Sequence, residues 1–194
     1  DDMGWADPGF HGGNAALTPN LDRRPGGFTW SEDSSTIYFS VSRDGDRVAY
    51  KVNLNAGVEQ LTGNQQQFSM SDVAVDGRIV GTFTTPQKPS DIWIRQPNGT
   101  MQQLTRVNDD ILADVQLGEV EEIHYKSVGD LDIEGWIVKP PDFDPNKKYP
   151  LILQIHGGPH GMYGGNFDFE RQNHAANGFV LLYTNPRGSS GYGK

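Results

Sequence analysis

The sequence predicts a mixed fold: a partial β-propeller of about two four-stranded blades, followed by the first strands of an α/β domain. Three observations lead there. The 24 Gly and 12 Pro among 194 residues punctuate short elements, which disfavours a helical bundle. The pair Leu-Thr recurs at 17–18, 61–62 and 104–105, spacings of 44 and 43, and the second and third close matched runs of strands and Gly turns. A unit of about 40–45 residues holding four short strands has the length of a propeller blade, although a β-sandwich also places strands this densely. After residue 118 the pattern changes to strand, loop, helix, strand, the mark of a βαβ unit.

The elements follow in order. Thr36–Ser42 is β-branched and aromatic, and the Asp44-Gly45 pair signals a tight hairpin. Arg47–Asn53 alternates with period 2, Asn55–Gly57 turns, and Val58–Thr62 forms a short last strand. The plan then repeats with Arg78–Thr84, a Pro-containing turn, Asp91–Arg95, a turn at Pro97–Gly99 and Met101–Thr105. Past residue 118, Glu119–Tyr125 and Leu131–Lys139 read as strands, and Pro140–Lys148 as an irregular connector. Leu151–Ile155 and Phe179–Thr184 are apolar at nearly every position, which predicts strands buried on both faces of a parallel sheet. Between them Phe169–Asn177 predicts a short helix, stopped by Gly178. The division expected is residues 1–24 as an N-terminal segment of its own, 25–118 as blades and 119–194 as the α/β part.

Composition narrows the function. A formal charge of −9 and a pI near 4.9 argue against a nucleic-acid partner. With no Cys there is no disulfide scaffold, thiolate metal site or cysteine nucleophile. No apolar run approaches the length of a membrane helix, and no signal peptide opens the chain, so a cytoplasmic setting is expected. The chain starts at Asp1 rather than Met, which reads as a processed or partial polypeptide.

The most informative stretch is His156-Gly157-Gly158-Pro159-His160-Gly161, directly after an apolar strand. Glycines there let a backbone approach a ligand and turn its N–H groups outward. In α/β-hydrolases the loop after the third strand supplies one oxyanion-hole N–H, often from an HGG-type motif. The candidate site residues are therefore His156, Gly157 and Gly158. A metal role for His156 and His160 is disfavoured, because the Gly and Pro between them preclude a helix holding both on one face. No metal and no cofactor is expected. The second Gly-rich stretch, Asn185–Gly193, is neither a nucleophile elbow, since GxSxG fails at Tyr192, nor a dinucleotide fingerprint. Arg187 is expected to anchor that loop through carboxylates. The acidic group Glu119, Glu121 and Glu122 reads as a solvated edge.

Gly135–Lys194, with HGGPHG followed by NPRGSSGYG, closely resembles the start of the catalytic domain of the prolyl oligopeptidase family, most nearly its acylaminoacyl-peptidase branch. FTWSEDSSTIYFS and the Leu-Thr endings resemble that family's last propeller blades, so the resemblance spans about residues 25–194. It implies a serine peptidase in which a propeller screens an α/β-hydrolase site and short peptides are cleaved through an acyl-enzyme. By the same resemblance Gly157 and Gly158 belong to the oxyanion loop, and His156 stands where relatives place a His or Tyr. The family's nucleophile follows a segment like Gly191–Gly193 in a GxSxGG elbow, with Asp and His later, and none of these motifs occurs in the 194 residues. The chain is thus expected to carry the oxyanion loop without a triad, and to need the remainder of a chain, or a partner subunit, to act on a short peptide. A homo-oligomer is among the assemblies its open edges allow. A non-enzymatic binding or scaffold module is the alternative.

Residues 1–24, with Asp1-Asp2 and Thr18–Arg23, instead resemble the opening of the sulfatase family, where paired aspartates bind calcium. That resemblance implies a sulfatase-derived fusion as a third reading. The C/S-x-P-x-R motif such an enzyme requires is absent.

Overall fold

The computed structural model describes residues 17–53, 57–63, 67–158 and 160–192. Most of the sulfatase-like segment, much of the turn expected at Asn55–Gly57, Pro159, Gly193 and Lys194 lie outside the described residues.

Eight strands form one open sheet: β1 (Pro25–Trp30), β2 (Thr36–Arg43), β3 (Asp46–Asn53), β4 (Gly57–Gln60), β5 (Gln67–Val73), β6 (Ile79–Thr85), β7 (Lys88–Arg95) and β8 (Met101–Gln103). Neighbours within β1–β4 and within β5–β8 pair antiparallel, as short connections dictate. The two groups meet through one parallel bridge, Arg47 to Gln67. Alternation decides which side chains go inward. Ile37, Phe39 and Val41 on β2 and Val48, Tyr50 and Val52 on β3 form one buried cluster, while Ala49, Leu61, Phe68 and Ile79 form the next. β5 was not among the expected strands, and neither was a four-residue helix, α1 (Asp109–Leu112).

The second sheet has the order β11-β12-β10-β9, built from β9 (Val120–Lys126), β10 (Asp132–Val138), β11 (Leu151–Gln154) and β12 (Val180–Thr184). β11 and β12 are parallel and joined by α2 (Phe169–Ala176), whereas β9, β10 and β12 pair antiparallel. Asp168 caps α2 by accepting the Arg171 N–H at 2.9 Å. Gly178, at φ +84°, ends it with its N–H on the Ala175 carbonyl. Trp136, Val138, Ala175, Leu181 and Tyr183 form the core beneath the helix.

One expectation is corrected. β11 is not buried on both faces, because it is an edge strand covered on one side only. Ile152 packs into the core, whereas Leu151, Leu153 and Ile155 are 60%, 55% and 73% exposed.

The sheets meet at the β2–β3 turn, where Asp44 and Gly45 take φ of +47° and +69°. The Gly45 carbonyl accepts the Gly165 N–H at 3.3 Å and the Gln67 amide, and the Asp44 N–H reaches the Gly191 carbonyl at 3.2 Å. Gln87 donates to the Gly118 carbonyl at 2.7 Å, and the Phe167 N–H donates to Thr84 Oγ1 at 3.1 Å. Hydrogen bonds therefore tie the blade-like sheet to the loops that carry the candidate site.

Candidate active site

β11 delivers its chain into the loop His156–Gly161 and α2 follows, so the loop occupies the crossover after the third strand of its sheet. Gly158 has φ +148°, and a Cβ there would stand 2.5 Å from the His160 nitrogen, so only glycine fits this bend. Among the described residues the N–H groups of Gly157 and Gly158 have no acceptor, and both residues are exposed. That leaves two backbone donors without a partner among the described residues.

His156 holds the loop in place. Its Nδ1 lies 3.0 Å from the Gly157 carbonyl, which can only accept, so Nδ1 carries the proton. Nε2 is then the acceptor for Ser189 Oγ at 2.9 Å. The structure thus pairs a serine with a histidine, yet Ser189 is buried and closes a turn onto the Pro186 carbonyl five residues past β12 rather than sitting on a strand-to-helix elbow. The bond ties the two Gly-rich loops together, as does the Ser190 N–H on the Gly161 carbonyl at 2.9 Å.

Beneath the loop lies a polar and aromatic support that the sequence did not reveal. Asn185, 1% exposed, accepts the Tyr163 N–H at 2.8 Å and donates to the Tyr163 carbonyl at 3.1 Å and to Glu134 at 3.3 Å. Tyr192 accepts the Glu134 N–H and donates to the Asn185 carbonyl at 2.7 Å. The Tyr163 ring meets the edge of His156 at 5.1 Å and of Tyr183 at 5.3 Å. Arg171 lies 3.7 Å over Tyr183 and donates to Gln154 at 2.7 Å. Burial pushes the Tyr183 hydroxyl up to about 12, so it stays protonated.

Burial also raises the Glu134 carboxyl to about 7; the Asn185 hydrogen bond opposes this, while Glu122 and Asp44 add to it. Across the β9–β10 pair, Glu134 faces His124, and the ligand atoms of Glu122, His124 and Glu134 lie within 4.8 Å of one another. These three are the described residues placed to hold a cation. The hydrogen bond it donates to the Glu122 carboxylate holds the His124 imidazole above its usual value. His160 is exposed and forms no part of that group. Glu119, Glu121 and Glu122 are exposed, and the first two pair with Lys139. Arg187 anchors its loop through the Val128 carbonyl at 3.0 Å rather than through a carboxylate, because the β9–β10 turn presents backbone there. No helix among the described residues is long and apolar enough to cross a membrane.

Fold and site together define a class: a meander of antiparallel strands docked on a mixed sheet whose parallel crossover bears a glycine loop with N–H groups unengaged among the described residues. Comparison with known proteins shows what the chain is similar to. No family model matches the chain. An uncharacterized peptidase of Bacillus subtilis, YuxL, is 31% identical over 180 residues, 92% of this chain and 27% of that protein. Dipeptidyl-peptidase 5 of Porphyromonas gingivalis is 28% identical over 92% of this chain and 26% of its own length. Among solved structures, Pyrococcus horikoshii acylaminoacyl peptidase superposes with a TM-score of 0.78 at 28% identity, covering 92% of this chain and 28% of that one. These similarities are consistent with a serine peptidase of the prolyl oligopeptidase family. It spans about a quarter of the length of the curated relatives it matches. None of the relatives named here is a sulfatase, and the resemblance of residues 1–24 to that family is unsupported.

Proposed function

We propose that these residues form part of a serine peptidase of the acylaminoacyl or dipeptidyl type, contributing two propeller blades (25–118) and the opening of the hydrolase domain (119–194). The observation that carries the reading is the His156–Gly161 loop. Its two unengaged N–H groups stand at the crossover where a hydrolase sheet builds its oxyanion hole. When a serine attacks a peptide carbonyl, the oxygen gains negative charge, and a fixed N–H stabilises that charge more than it did the neutral carbonyl. His156 and Ser189 hold the donors in place rather than react. The nucleophile, acid and base belong to sequence outside these 194 residues, which contain no elbow motif. The exposed apolar residues of β11, Leu151 and Leu153, suit the addition of further structure against them.

The test replaces Gly158 with Val in the polypeptide that joins these residues to the nucleophile, with acylaminoacyl and dipeptidyl nitroanilides as substrates. Displacing a donor lowers kcat about 100-fold or more, with KM changed far less. An unchanged kcat overturns the assignment.

A further inference from the structure

Between the two sheets runs a groove of about 440 Å³ whose wall includes Ser42, Arg47, Gln67, Ser69, Asn166 and Ser190. A second hollow of about 280 Å³ continues from it, sharing Ser42, Arg47 and Ser69 and adding Arg24 and Ser40. Among the described residues no Asp or Glu lines either one, although the chain as a whole carries a charge of −9. Hydroxyls, amides and the Arg47 guanidinium therefore line a common space that no carboxylate among the described residues enters.

Arg47 is the centre of this arrangement. Nearby arginines are engaged: Arg23 and Arg43 both pair with Asp44, and Arg95 donates to the Leu61 carbonyl. Arg47 is exposed, and the only hydrogen bond of its guanidinium among the described residues goes to Ser69 Oγ at 3.3 Å, with no described carboxylate in ion-pair range. Its place is fixed by the parallel bridge to Gln67 at the junction of the two strand groups. The other end of the groove is fixed too. Ser190 donates its N–H to Gly161 and its hydroxyl to the His160 carbonyl, so this wall is joined to the glycine loop.

We infer that this groove is a carboxylate-binding subsite centred on Arg47, which holds the anionic end of a peptide whose reacting carbonyl lies at the glycine loop. The inference rests on the peptidase reading for the peptide's position and on the groove alone for its charge. A guanidinium offers a planar pair of donors that matches a carboxylate, and the flanking hydroxyls supply the remaining hydrogen bonds. The carboxylate is either the peptide's C-terminus or an Asp or Glu side chain.

Three dansyl-labelled tetrapeptides separate the sources: tetra-alanine as the free acid, its C-terminal amide, and an amide in which one Ala is Glu. Their binding to this chain is followed by fluorescence in 20 mM and 500 mM salt. At least one carboxylate-bearing peptide is expected to bind about tenfold more tightly than the neutral amide, less so in high salt. Arg47→Gln is expected to erase the difference and Arg47→Lys to retain part of it; both change an exposed side chain. Preference for the free acid assigns the C-terminus, and preference for the Glu peptide assigns the side chain. Equal affinities, no binding, or a preference that survives Arg47→Gln overturns the subsite. Hydrolysis of neutral peptides that still depends on Gly158 would then leave the peptidase reading intact. A carboxylate preference in a polypeptide that hydrolyses nothing would overturn the peptidase reading alone.

Discussion

Replacing Glu134 with Gln is expected to stabilise the chain in alkali and leave it nearly unchanged in acid. Glu134 is 3% exposed, faces the Gly45 turn and holds a single long hydrogen bond from Asn185. Its carboxyl is raised from 4.5 to about 7, chiefly by burial. A carboxyl that holds its proton more tightly when folded contributes stability in full below pH 4.5. That stability is lost as the pH rises through about 7. At about 1.4 kcal/mol per tenfold change in proton affinity, the interval amounts to ~3 kcal/mol by pH 8. Glutamine keeps an oxygen for Asn185 and carries no charge at any pH. Urea unfolding at pH 5 and pH 8 is the assay, and the advantage of Glu134→Gln over the parent is expected to grow by ~2–3 kcal/mol between them. His124 is also raised, chiefly by its hydrogen bond to Glu122 and least by the charge of Glu134, so its contribution falls with pH in both proteins and most of it cancels in the difference. Parallel stability curves for the two proteins would refute the reasoning.

Other outcomes follow from packing. Gly45→Ala would place a methyl 2.5 Å from Trp136 Cζ2 at φ +69°, so it is expected to cost ~2–4 kcal/mol in the same assay. A cost below about 0.5 kcal/mol would mean that the sheets do not meet there as described. Arg171→Ala removes the group stacked on Tyr183 and is expected to cost ~2–4 kcal/mol, whereas Arg171→Met, which refills the volume, costs less than half of that. Equal losses would show that charge, not packing, is what the site requires.

What the sequence disclosed was local. The Asp44-Gly45 hairpin, the alternation of Arg47–Asn53 and the helix ended by Gly178 each depend on residues a few positions apart. The glycine loop was legible for the same reason. β5 escaped notice because only Phe68 and Met70 mark its apolar face before a bulge between Met70 and Asp72 breaks the period. β11 looked doubly buried because composition registers apolarity and not which neighbours cover a strand. The Glu134–Asn185–Tyr192 support was hidden entirely. Its members lie 7 to 58 positions apart, and only the antiparallel pairing of β10 with β12 brings them together.

The most direct measurement of the central claim is labelling with a serine-reactive fluorophosphonate, followed by peptide mass mapping. It is made on the polypeptide that joins these residues to the rest of the hydrolase domain. Modification of one serine outside residues 1–194, weakened when Gly158 becomes Val, is the result expected if this chain supplies the oxyanion loop and not the nucleophile. Modification of Ser189, which lies 2.9 Å from the His156 imidazole, would contradict it.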